Sequence, residues 1–163
     1  MSRVTGSWLS GPRAALNEDA GDPDKQKWPG ERLGLPQDGP GAVASVARRG
    51  GALIVDLIVA SLLTGIVTHP NFGDPASMTA HNWWSVLTWS VITVGMVATF
   101  GFTPGMGLLG IRVIRMDGAA MVGLVRAIPR TVLSALIVPA VLINWDGRGW
   151  HDRAAGTIVV HLR

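Results

Sequence analysis

A chain of 163 residues with a net charge of +3, an isoelectric point near 10.6 and a positive mean hydropathy is long enough for one ordinary domain. Only 15% of the residues are charged, and the charges avoid three long stretches; basic residues that flank apolar runs point to anionic lipid headgroups and away from nucleic acid. The absence of cysteine excludes disulfides, thiol catalysis and cysteinyl metal sites.

Residues 1–45 hold seven Gly, five Pro and six acidic against five basic residues, with no apolar period. Such a stretch buries too little surface to offset its ordering entropy, which predicts a disordered tail. Trp8 and Trp28 stand isolated in it, and Trp28-Pro29-Gly30 reads either as plain linker or as a short docking motif. The first apolar run begins only at Gly51, so the first span is expected to serve as an uncleaved anchor.

The membrane part is predicted over 46–163, with three hydrophobic helical segments. The first, residues 51–68, carries one charge, Asp56, and with its flanks matches the ~20 residues that cross a hydrocarbon core. The second, residues 83–102, has no charge, and Trp83, Trp84 and Trp89 gather near its start as rings do among headgroups. On one of its faces Ser85, Thr88, Gly95 and Thr99 suit close helix contact in lipid. The third, about 127–145, is broken by Pro139, and Pro129 stands where a first-turn proline would start it. Its uncharged run of 15 residues covers only about 22 Å, which suits a short kinked span or a re-entrant segment. Between the second and third segments, residues 107–121 read as a β-hairpin around an Asp117-Gly118 turn, and residues 154–163 form a further strand-like run. The fold class is therefore an all-α polytopic membrane protein with a small hairpin-like cytoplasmic loop.

Arg48 and Arg49 precede the first span, the 69–82 loop has no Lys or Arg, and the 103–130 loop has Arg112, Arg115, Arg126 and Arg130. The positive-inside rule places the N-terminus and the 103–130 loop in the cytoplasm. A full third crossing would carry Arg148, Arg153 and Arg163 outside, against that rule, and would leave the last strand without its best partner, the cytoplasmic hairpin.

An ionised Asp56 inside a span costs on the order of 2.5–3.5 kcal/mol on insertion scales, so it needs a partner, and Arg130 or Arg153 is the best placed. Its role is either an ion or proton site or a structural pair between helices. Trp150-His151-Asp152-Arg153 is dense in polar groups, yet His69, His81 and His161 show no ligand spacing, so no metal is expected. Gly105-x-Gly107-x-x-Gly110 matches a dinucleotide fingerprint in the wrong context, after a span instead of a strand. No triad, phosphate loop or nucleophile elbow is present, so neither a catalytic residue nor a cofactor is expected.

Taken in order, Arg49, Asp56, Thr103-Pro104-Gly105, Gly110-Ile111-Arg112-Val113, Arg130, His151-Asp152-Arg153 and Ala155-Gly156-Thr157 resemble the RDD family of bacterial membrane proteins over about residues 29 to 163. The lead-in over residues 31–49 looks like that of actinobacterial members. The resemblance implies that Arg49, Asp56 and Asp152 are the name-giving residues, and a place in the bacterial cell membrane. Met106 departs from it, since the family usually has a basic residue after Thr-Pro-Gly. The expected function is a non-enzymatic accessory or scaffold module, a homo-oligomer or part of a larger membrane complex. The alternative is a homo-oligomeric transporter, exchanging cations and protons or moving a small solute, with Asp56 as its carboxylate.

Overall fold

The computed structural model describes residues 27–136 and 147–163, and it is mostly helical. Ser45 opens the first long helix, α1 (Val46–Thr68), by accepting from the Arg48 N–H. Asp74 opens the second, α2 (Pro75–Phe100), by accepting from the Ala76 and Ser77 N–H groups, with Pro75 in the first turn. This cap starts α2 well before Trp83, so the loop between the helices is short and His81 lies inside a helix.

The two helices run antiparallel and pack through small residues. Ala52, Asp56, Ala60 and Thr64 form the buried stripe of α1, spaced four apart, and His81, Trp89, Thr93, Val97 and Ala98 are the buried residues of α2. The opposite faces are large and apolar, with Ile54, Ile58, Leu62 and Ile66 exposed on α1 and Trp83, Leu87 and Val91 on α2. Only 22% of the most apolar window of each helix is buried, whereas the core helix of a soluble protein would be mostly covered. At 23 and 26 residues both helices are long and apolar enough to cross a membrane.

Gly101 ends α2 in the left-handed region at φ 76°, and its carbonyl accepts from the Val113 N–H. A Cβ there would stand 2.9 Å from the Val113 carbonyl oxygen, so the turn requires glycine. The Thr-Pro-Gly turn comes next as a short helix, α3 (Pro104–Leu108), capped by Thr103, whose hydroxyl accepts from the Met106 N–H.

The expected hairpin over 107–121 does not form. Its first strand, β1 (Ile111–Arg115), pairs antiparallel with the C-terminal strand β2 (Thr157–His161), Val113 facing Val159. Asp117 and Gly118 do make a turn, in which Arg115 and Arg126 hold the Asp117 carboxylate, with its pKa down to about 2, through hydrogen bonds and charge. The chain then leads into a helix: Met121 and Leu124 are exposed and no alternating run continues to mate with β1, whereas β2 offers Ile158, Val159 and Val160, all buried.

The disordered tail expected over 1–45 is also revised where the structure describes it. Residues 27–45 make a 3-10 turn (Glu31–Leu33), a Trp28 Nε1–H bond to the Leu35 carbonyl at 3.0 Å, and a bridge from Val43 to Val160 on the edge of β2. Ala42 and Ala44 are buried there, because the strand edge satisfies the backbone groups that composition alone leaves unpaired.

The described part of the third segment is α4 (Leu124–Ala135), which starts before Pro129 and carries that proline inside instead of at its first turn. It is amphipathic: Ala127, Arg130 and Thr131 are buried, while Leu124, Val125, Ile128, Val132 and Leu136 are exposed. Residues 137–145, where Pro139 and the rest of that prediction fall, lie outside the described residues. The last helix, α5 (Trp150–Ala155), ends at Gly156, where Arg126 Nη1 donates to the Ala155 carbonyl at 3.1 Å.

Arg48 Nη1 donates to His161 Nδ1 at 3.2 Å, and partial burial with the Arg48 and Arg49 charges lowers the His161 pKa below its ordinary value. A depressed imidazole binds fewer protons folded than unfolded, so stability falls as pH drops below ~6.5. The melting temperature in detergent should therefore be lower at acidic than at neutral pH, and His161→Gln should shrink that difference; an unchanged difference would remove His161 as its source.

Candidate functional site

The first turn of α1, the middle of α4 and the start of α5 converge on one buried carboxylate. Asp152 is 0% exposed. Its Oδ2 accepts from Arg49 Nη1 at 3.1 Å, and its Oδ1 accepts from Arg130 Nη1 and, at 3.3 Å, from the Thr157 hydroxyl. Arg49 also donates from Nε to the Ala44 carbonyl and from Nη2 to the Val159 carbonyl, so one guanidinium ties the lead-in segment, β2 and α5 together. His151 Nε2 stands 3.5 Å from Asp152 Oδ2, and Arg148 donates to the carbonyls of Asp152 and Thr157. Burial, with the Arg49 charge beside it, pulls the Arg130 pKa to about 9, so Arg130 is still a cation at neutral pH.

Asp56 takes different partners from those expected. Neither Arg130 nor Arg153 reaches it. Its Oδ2 accepts from the Thr103 hydroxyl and its Oδ1 from the Gly105 N–H at 2.7 Å. The carboxylate therefore caps the first turn of α3, where N–H groups have no partner within the helix. Gly105 permits this because α3 lies against α1; a Cβ there would run into the Ala52 carbonyl and come within 3.0 Å of Asp56 Cγ. Arg153 is exposed and stands outside both arrangements. The structure thus brings together Arg49, Arg130 and Asp152, and sets Asp56 apart with Thr103.

A cavity of about 150 Å³ links the two arrangements, lined by Arg49, Arg130 and His151 on one side and by Asp56 and Thr103 on the other. Val46, Leu53, Met106 and Val159 make much of its wall carbon. Trp89, Thr93 and Thr131 complete it. Among the described residues no group of His, Asp or Glu is placed to hold a metal ion.

Towards the other end of the helix pair lies a polar cluster that includes Ser85 and Thr88 of the face expected to contact a helix. Gly95 and Thr99 of that face are exposed, and the centre of the cluster, His81, is outside that expectation. His81 is 5% exposed, with Nδ1 2.9 Å from Thr68 Oγ1 and Nε2 3.1 Å from Ser61 Oγ. Thr68 gives its proton to the Thr64 carbonyl, so the arrangement that fits is Nδ1–H donating to Thr68 while Nε2 accepts from Ser61. Nearby, Thr64 donates to Thr88 at 2.9 Å. The sequence signal for this cluster is the Asp74-Pro75 cap, which puts His81 and Ser85 on one face of the helix.

The fold is a pair of long apolar helices closed at one end by a buried arginine–aspartate–arginine cluster. A model of the RDD family matches residues 43–156, and the chain belongs to that family. The family and the two exposed apolar helices together point to a membrane protein. Neither a curated protein nor a solved structure gives a significant match to the chain.

Proposed function

We propose that this chain is a two-crossing module of the bacterial cell membrane with both ends in the cytoplasm, serving as a non-enzymatic accessory or scaffold subunit. The observation that carries the reading is the Arg49–Asp152 ion pair. It joins the start of α1 to α5, so the segments before the first crossing and after α4 share one side. That side also holds Arg48, Arg112, Arg115, Arg126, Arg148, Arg153 and Arg163, while residues 69–82 carry no Lys or Arg. With the positive-inside rule this makes the shared side cytoplasmic, facing anionic headgroups. The described part of the third segment, α4, then lies with its apolar face at the bilayer boundary. The signature charges act as a staple: two cations and one carboxylate bind each other, and the cluster also holds backbone and hydroxyl groups of other elements.

Cysteine scanning tests the topology cleanly, since the chain has no cysteine. With a membrane-impermeant maleimide, Asn71→Cys should label in intact cells and Arg163→Cys only after lysis. Labelling of Arg163→Cys in intact cells would overturn it. For the accessory role, the expected result is co-purification with one membrane partner, or with further copies of the chain, at fixed stoichiometry. A lone monomer in mild detergent would count against it.

The transporter reading rests on Asp56 lining the cavity. Against it, both carboxylate oxygens accept from fixed donors, the geometry of a helix cap. Asp56→Asn should therefore lower stability by about 1 kcal/mol, the worth of one imperfectly replaced hydrogen bond. Ion flux in proteoliposomes should be the same with either residue; flux lost on substitution would favour transport.

A further inference from the structure

The end of β2, the lead-in segment and the first turn of α1 enclose a second cavity, outside the signature cluster. The Gly41 N–H donates to the His161 carbonyl and the His161 N–H to the Ala42 carbonyl, both at 2.9 Å, so the loop before Gly41 is held beside the end of β2. Arg48 reaches the same place from α1, its Nη1 3.2 Å from His161 Nδ1. Beyond β2 the Leu162 N–H donates to the Gly110 carbonyl at 2.8 Å. The Arg163 side chain lies along Gly110, where a Cβ would stand 3.3 Å from both its Cγ and its Nε. The space between these groups is about 280 Å³ and mostly polar in its lining, with Gln37, Asp38, Gly39, Arg48, His161 and Arg163 around it. That is several times the ~30 Å³ share of one water.

The donors around this space outnumber its acceptors. Arg48 and Arg163 are exposed, and neither makes an ion pair among the described residues. A guanidinium can only donate, so His161 Nδ1 accepts from Arg48, and the neutral imidazole carries its proton on Nε2, for which the described residues offer no acceptor. Asp38 lines the same cavity and pairs with neither arginine. The His161 pKa is depressed by burial and then by the Arg48 and Arg49 charges, so the imidazole stands in a positive field. Guanidinium groups pair with carboxylate or phosphate oxygens through parallel hydrogen bonds. An imidazole between two guanidiniums needs acceptors in three directions, which a tetrahedral phosphate supplies and a planar carboxylate does not. The geometry points to a binding site for one phosphate group, held by Arg48, His161 and Arg163 beside the start of α1. Two sources offer that group: an anionic phospholipid at the level where α1 enters the bilayer, and a phosphate free in the cytoplasm. The lipid source rests on the two-crossing reading; the site itself does not.

Nuclear magnetic resonance of the full chain in micelles of an uncharged detergent tests it, with the His161 ring signals assigned by their loss in His161→Gln. The probes are inorganic phosphate, short-chain phosphatidylglycerol mixed into the micelles, and acetate at matched ionic strength. The expected result is a saturable shift of the His161 signals with phosphate, phosphatidylglycerol or both, and no saturable shift with acetate. The bound anion should also carry the His161 pKa back up towards its ordinary ~6.5. Arg163→Gln should raise the half-saturating concentration about tenfold, as loss of a charge-assisted hydrogen bond implies, with the melting temperature unchanged. Arg48 is left in place because it bonds His161 itself. Arg153→Gln removes the same charge from an exposed position outside the cavity and should bind like the parent chain. Asp38→Asn should tighten binding, because it takes a carboxylate from the lining.

A response to phosphate identifies a soluble source, and a response to phosphatidylglycerol alone identifies the lipid. No saturable shift with either, an equal response to acetate, or equal effects of Arg163→Gln and Arg153→Gln overturns the site. Failure of the topology is read separately: Arg163→Cys labelled in intact cells removes the cytoplasmic leaflet as the source and leaves phosphate binding in micelles as it was measured.

Discussion

Asp152→Ala should destabilise the protein by about 3–5 kcal/mol, the cost of leaving buried charges unpaired, and should leave little folded protein in detergent. The carboxylate is fully buried, and its removal strands two guanidiniums, one of them on a residue only 5% exposed. The Thr157 hydroxyl loses an acceptor at the same time. Removing a cation with it should be milder: Asp152→Leu combined with Arg130→Met takes out a paired anion and cation and fills the space with carbon. The cycle of single and double variants, followed by thermal melting, should thus be strongly non-additive. Additive losses would mean that Arg130 and Asp152 act independently, and the staple would not exist. Arg153→Ala, at the exposed neighbouring position, should change stability by less than about 0.5 kcal/mol.

The second large effect is expected at Gly105. Gly105→Ala should cost about 3 kcal/mol, at the upper end of what a single added methyl does in a packed interior. The obstacle is the Ala52 carbonyl of α1, which is backbone and cannot change rotamer to make room. Forcing α3 away would also lengthen the bond from the Gly105 N–H to Asp56, so the substitution removes a cap as well as a contact. Gly95→Ala is the control: it sits in α2, and a Cβ there meets nothing within 4 Å. It should be neutral or stabilising by up to about 1 kcal/mol, as expected for alanine in a helix. If the two substitutions had equal effects on the melting temperature, close approach of α3 to α1 would not be what requires glycine at 105.

Both predictions depend on pairings between residues far apart in the chain. Arg49 and Asp152 are separated by 103 positions and Asp56 and Thr103 by 47. Hydropathy and spacing identify each residue as costly in an apolar setting, but they do not choose among several arginines and hydroxyls. By charge alone Arg130 suits Asp56; in the fold, the turn after α2 brings Thr103 and a free helix-end N–H to Asp56 first. Arg130 pairs with Asp152, the other buried carboxylate among the described residues.

Local sequence suffices for the two long helices. Their apolar length and the scarcity of charge mark them as helices long enough to cross a membrane, and caps at Ser45 and Asp74 set where they begin. It suffices as well for the β-branched strand character of residues 111–115 and 157–161 and for the family to which the chain belongs. Packing was needed to pair these strands with each other and not within a hairpin, and to join residues 27–45 to the edge of the sheet. Packing also made Asp56 the cap of a helix and Asp152 the partner of the arginines. The physical reason is the range of the interactions. Helix propensity, caps and hydropathy act within a few residues, whereas strand pairing and buried ion pairs are settled only when distant groups come to share a space that water cannot enter.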